Sequence, residues 1–228
     1  MPQEPYWPKK AKQVFSVYIS GLYSSIIKPK KPNTQIGMKR EPLTVKIAYT
    51  SVFTALGIIL AHTFFFRIFG TLAFPGQHLV NAVAGVILGP WWASLVAILV
   101  GTYRNAVGIG TLFAYPGGIP GAVVVGVAYR LLRRRYGVRA SLAAALLEPV
   151  GTVLIGATIS LLAIAPVVSP ETAELITRLG IAGALAQFYT GWALSSVPGA
   201  VIGYLLLIAL HKFQAITLAG ETGDDKPR

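Results

Sequence analysis

None of the 228 residues is a cysteine, and only eight are aspartate or glutamate. Without cysteine there is neither a disulfide framework nor a thiolate metal site. The scarcity of acids removes most of the raw material for paired-carboxylate or metal-assisted catalysis. Charged residues make up 12% of the chain, about half the share in a soluble domain, roughly 25%. Phosphate-binding GxxxxGK[ST], HExxH and GxSxG patterns are also missing, so ATP hydrolysis by this chain itself is excluded. What fills the sequence instead is apolar: 54% hydrophobic residues and a mean hydropathy of +0.62. That balance points to lipid as the solvent.

The net charge of +12 would suit nucleic acid, but the placement of a charge decides more than its size. Eight of the twenty Lys and Arg fall within residues 1–42, and five more within "RLLRRRYGVR" at 130–139. Basic clusters flanking apolar runs are the mark of cytoplasmic segments, and an anionic leaflet accounts for them without nucleic acid.

A bilayer span takes about 20 mainly apolar residues. Candidate runs lie at about 43–66, 77–89, 90–107, 119–132, 140–165 and 180–210, the second and fourth short for a full span. The expected fold is therefore an all-α integral membrane protein, a six-transmembrane-helix bundle. Both termini then lie in the cytoplasm, with the arginine cluster on the same side. The expected organisation is a basic cytoplasmic or interfacial extension at 1–42, a membrane domain at 43–210 and a polar cytoplasmic tail at 211–228. Two readings of the extension stay open. "AKQVFSVYISGLYSSII" (11–27), between basic flanks, fits an interfacial amphipathic segment; Met38 equally offers a natural start just before the first span.

Two connections echo each other: "TLAFPGQHLVNAVAG" (71–85) and "TLFAYPGGIPGAVVVG" (111–126). In each, an aromatic-Pro-Gly turn opens a helix, where proline has no N–H to leave unpaired. His78 and Asn81 lie at one end of the second run, continued by Ala82, Gly85 and Gly89 on the same face. Ala93, Ala97 and Gly101 lead along the third run to Arg104 and Asn105. Stripes of small residues are where helices pack closely, so these polar ends point into the bundle. Ionisable groups at membrane depth face a cavity or a partner. His62 reads as a structural histidine, Arg67 as an interfacial one reaching the headgroups. Glu148, the one acid within the apolar runs, is expected to pair with an arginine of the 130–139 cluster.

The blocks "FPGQHLVNAVAGVILGPWWA" and "YRNAVGIGTLFAYPGGIPGA" and the six-run plan resemble the ThiW family over residues 43–210, most densely over 72–130. The resemblance implies a substrate-binding S component of an energy-coupling factor (ECF) transporter in the cell membrane. Its implied ligand is the thiazole precursor of thiamine. It also implies a transmembrane coupling subunit and two cytoplasmic ATPases, so that ATP is used by partners and this chain needs no cofactor. The matching coupling contact is Ser51 and Ala55, with serine where the family carries alanine. The expected pocket takes polar contacts from His78, Asn81, Arg104, Asn105 and Gln187 and aromatic walls from Phe74, Tyr115 and Trp192. A stand-alone secondary transporter or a membrane enzyme are the alternatives. The first would need ion-coupling acids at mid-depth, the second a catalytic set, and both are scarce here.

Overall fold

The computed structural model describes residues 42–68 and 71–213. The expectations for the N-terminal extension and for most of the C-terminal tail fall outside these residues. The described chain is helical apart from one short hairpin. Six helical segments run in order: α1 (Leu43–Thr63), α2 (Pro75–Leu88), α3 (Pro90–Ala106), α4 (Ala114–Ser141), α5 (residues 142–168) and α6 (Pro170–Lys212). Strands β1 (Phe66–Ile68) and β2 (Thr71–Ala73) pair antiparallel between α1 and α2. The first apolar run was expected to stay helical to about 66. It stops at Thr63, where the Phe64 N–H closes on the Leu60 carbonyl, and the chain turns extended.

Prolines and glycines set the joints. Pro75 and Pro90 each occupy the first turn of a helix, where a missing N–H costs nothing. Between α2 and α3 the chain reverses through Gly89 at φ +81°, a backbone region that side-chain-bearing residues avoid. The fourth helix is longer than its apolar core suggested, beginning at Ala114 and bending at Gly137 (φ +76°). Past that bend α5 folds back antiparallel along α4. A Cβ on Gly156 would lie 2.0 Å from the Pro116 carbonyl, and one on Gly151 2.3 Å from that of Pro120. Only glycine permits this approach.

The start of α5 is irregular for a local reason. Pro149 cannot donate to the Ala145 carbonyl, so the Glu148 N–H takes that acceptor in a tighter 3-10 turn over Leu142–Leu147. Wider π-helical turns follow at Val150–Gly156 and Ser160–Ile164. Departures of this kind in a helix often accompany functional positions. Here Pro149 directly follows Glu148, the residue that lies under the cavity described below.

Three stretches are long and apolar enough to cross a membrane: Leu43–Thr63, Ala114–Val168 and Glu174–Lys212. The middle one holds two antiparallel helices, α4 and α5. Helix α2, by contrast, has only fourteen residues, every one of them buried. At 1.5 Å per residue it spans about 21 Å. The stripes of small residues account for its enclosure. A Cβ on Gly85 would meet Val125 of α4 at 2.7 Å, and one on Gly199 of α6 would lie 2.4 Å from the Pro75 carbonyl. Gly203 abuts Ala82 in the same way. The α2–α3 turn at Gly89 lies against Arg130, so the arginine-rich end of α4 sits opposite the end where α2 begins.

Candidate functional site

At that other end, the start of α2, the end of α3, the start of α4 and the middle of α6 enclose a cavity of about 420 Å³. This lies within the range of small-molecule pockets. Phe74, Gln77 and His78 come from α2 and its approach, Arg104 from α3, and Gln187, Trp192 and Ser195 from α6. Ile109, Gly110 and Thr111 close one side. Their loop curls back because the Arg104 carbonyl, an orphan acceptor at the helix end, accepts from the N–H of both Ile109 and Gly110. Trp192 fits there because Gly117 and Gly156 leave room for its ring. Phe188 stacks on Trp192, and Phe113 meets Phe188 edge-on, with centroids 6.1 and 6.2 Å apart.

Arg104 is 6% exposed. Its guanidinium carbon lies 3.9 Å from the centre of the Phe74 ring, an attractive cation–π placement. Nη1 donates to the side-chain Oε1 of Gln77, while Nε is buried with no partner. Among the described residues no carboxylate lies within ion-pair distance of Arg104, and no acid lines the cavity. A buried cation thus faces the cavity with donor capacity unspent.

Under the floor lies the opposite arrangement. Glu148 is fully buried and crowded with donors. His78 Nδ1 lies 2.9 Å from its Oε1, Thr152 Oγ1 2.7 Å and Asn81 Nδ2 3.4 Å, and the Ser196 hydroxyl donates to Oε2. Asn81 also donates to the Gly118 carbonyl at 3.2 Å. A buried carboxylate is costly unless such bonds satisfy it. The expected pairing of Glu148 with the 130–139 arginines is therefore corrected. Those arginines lie at the far end of α4, and Glu148 joins α2, α5 and α6 beneath the cavity instead.

Of the residues singled out in the sequence, Phe74, His78, Arg104, Gln187 and Trp192 line the cavity, while Asn81, Asn105 and Tyr115 do not. Asn81 lies one turn deeper, in the Glu148 cluster. Asn105 follows Arg104 on α3 and so faces another side of the helix. Tyr115 turns toward α3, where its hydroxyl lies 3.1 Å from Thr102 Oγ1; Phe113 and Phe188 take the wall position instead. His62 sits apart, its Nε2 3.0 Å from the Tyr103 hydroxyl. Gln77, Ser195 and Ser196 carried no expectation, although Gln77 stands within the "FPGQH" block.

Apolar helices of membrane-crossing length, folded around a ligand-sized polar-and-aromatic cavity, define a membrane protein with a small-molecule site. Residues 47–213 match the family model of ThiW, described as thiamine-precursor transporter protein. The chain belongs to the ThiW family. No curated protein and no solved structure is significantly similar to it.

Proposed function

We propose that this chain is the substrate-binding membrane subunit of an ECF-type ABC transporter, and that its ligand is hydroxyethylthiazole, the thiazole precursor of thiamine. The carrying observation is Arg104: a buried guanidinium with unspent donors in an aromatic-walled cavity that no acid lines. Thiamine itself holds a positively charged thiazolium ring, which Arg104 would repel in a site of low dielectric. A neutral thiazole offers a ring nitrogen and a hydroxyl as acceptors and a flat face for Phe113, Phe188 and Trp192.

In this reading α1–α6 cross the membrane six times with both termini in the cytoplasm. The cavity then opens outward and the arginine-rich end of α4 lies inside, as the positive-inside bias favours. Helix α2 is too short to span about 30 Å alone, and its enclosure by the other helices removes that requirement. Ser51 and Ala55 are both exposed on α1, which suits a close helix contact with the coupling subunit. ATP is then hydrolysed by two cytoplasmic ATPases. A second reading, a stand-alone secondary transporter, is favoured by the buried His78–Glu148 pair, since buried acid–histidine pairs serve proton-coupled carriers.

Calorimetric titration of the purified protein with hydroxyethylthiazole, the aminopyrimidine precursor and thiamine tests the ligand. Hydroxyethylthiazole is expected to bind tightest, and Arg104→Ala to weaken it by about one to two decades, the loss of one buried polar contact. Tighter binding of thiamine would sink the thiazole reading.

A further inference from the structure

Among the described residues His78 is the one that belongs to both halves of the site. It lines the cavity, and its Nδ1 lies 2.9 Å from Glu148 Oε1. With Nδ1 committed to the carboxylate, Nε2 is the ring nitrogen left for a ligand. Its role as donor or acceptor follows from the partner of Nδ1. A carboxylate can only accept, so Nδ1 carries the proton, and a neutral His78 offers Nε2 as a bare acceptor.

Glu148 already receives uncharged donors from Asn81, Thr152 and Ser196, so its burial does not depend on a positively charged ring. Arg104 lines the same cavity and supplies it with a donor, which leaves the acceptor role to His78.

We infer that Glu148 is a positioning residue that fixes the tautomer of His78, so that Nε2 accepts a hydrogen bond from a ligand hydroxyl. This rests on the thiazole reading and adds to it the means of selection. Arg104 donates and the neutral His78 accepts, so the cavity asks for one acceptor and one O–H on the same small molecule. An analogue lacking the O–H leaves a buried acceptor unpaired, and sites built this way discriminate strongly.

The test compares three thiazoles on the full chain in detergent at pH 8. They are the hydroxyethyl compound, its methyl ether, and the ethyl analogue without oxygen. The alcohol is expected to bind at least tenfold more tightly than either analogue, because only it can donate to a bare Nε2. Glu148→Gln, which can present an amide N–H to Nδ1 and reverse the tautomer, turns Nε2 into a donor that the alcohol and the ether oxygen can both meet. The preference for the alcohol over its methyl ether is therefore expected to fall toward one in that variant, while both stay ahead of the ethyl analogue. If that variant does not fold, the comparison of alcohol with ether on the unaltered chain still decides. A preference over the ether that is absent on the unaltered chain, or unchanged in Glu148→Gln, overturns the inference and leaves thiazole binding standing. Failure of all three thiazoles to bind overturns the thiazole reading, and this inference with it.

Discussion

Helices α1 and α2 follow one another along the chain and pack together, yet they meet their surroundings in opposite ways. On α1 only Thr50, Phe53, Gly57 and Ala61 are buried, a single row at helical spacing, while Leu43, Ile47, Val52 and Ile59 are half exposed or more. On α2 nothing is exposed. Both are largely apolar, so hydrophobicity does not separate them. Residue size and polarity do. The outer face of α1 is large and aliphatic, as lipid-facing surfaces are. Helix α2 carries glycine and alanine where neighbours come close, and glutamine, histidine and asparagine where they meet polar partners. In lipid, where apolar burial gives helices no reason to associate, close packing and hydrogen bonds hold them together. The helix rich in small and polar residues therefore goes to the centre, and the cavity forms at its end.

The largest expected effect tests that distinction directly. A side chain at Gly199 would place its Cβ 2.4 Å from the Pro75 carbonyl oxygen, a backbone atom that cannot step aside. Gly199→Leu is expected to push α6 off α2 and abolish recovery of a monodisperse protein in detergent. Ala55→Leu, adding a similar bulk to the exposed face of α1, is expected to leave the melting temperature within about 2 °C, in line with surface substitutions of under about 0.5 kcal/mol. Equal tolerance at both positions would remove the contrast.

Next in size is a functional contrast between the same two helices. Ala55→Trp is expected to keep ligand affinity within about twofold, because α1 contributes nothing to the cavity lining. In cells carrying the coupling subunit and ATPases, the same variant is expected to lose ATP-dependent uptake and co-purification, since a bulky side chain holds a partner helix away. Uptake of labelled thiazole in cells without the ATPases would instead establish the stand-alone carrier and give α1 a lipid-facing role only.

The sequence carried the frame and half of the site. Proline and glycine placed the starts of α2 and α3, and the stripes Ala82–Gly85 and Ala93–Ala97–Gly101 marked contact faces. Phe74, His78 and Arg104 stood out because polar or aromatic residues at helix ends beside Pro-Gly turns are few in so apolar a chain. What the sequence withheld were relations between distant segments. Glu148 lies 70 residues from His78 along the chain, and the arginines are nearer in sequence. Only the reversal at Gly137 decides that the distant partner wins. Tyr115 and Phe113 are two residues apart at the opening of α4. Which one faces the cavity depends on the rotation of that first turn, and no spacing rule fixes it. The β1–β2 hairpin was hidden for a simpler reason: each strand has three residues, too few for an alternation to be told from chance.

The smallest expected effect separates the two histidines that these helices carry. His62 on α1 is exposed and meets Tyr103 both by a 3.0 Å hydrogen bond and by an edge-on ring contact with centroids 5.8 Å apart. Phenylalanine at 62 keeps the ring contact and loses only the hydrogen bond, a net cost of about 1 kcal/mol. Tyr103, however, directly precedes Arg104 on α3, so a route from α1 to the cavity is conceivable through one peptide unit. The packing argues against it. Arg104 is held by Phe74 and by Gln77, both from the α2 side, and its position does not depend on Tyr103. His62→Phe is therefore expected to change thiazole affinity by less than twofold and to leave the preference for the alcohol over its methyl ether intact, whereas disturbing His78 alters both. The measurement is the titration of His62→Phe with each of these two thiazoles. A loss of affinity of tenfold or more would mean that α1 positions Arg104 through Tyr103, and that the outer helix belongs to the site after all.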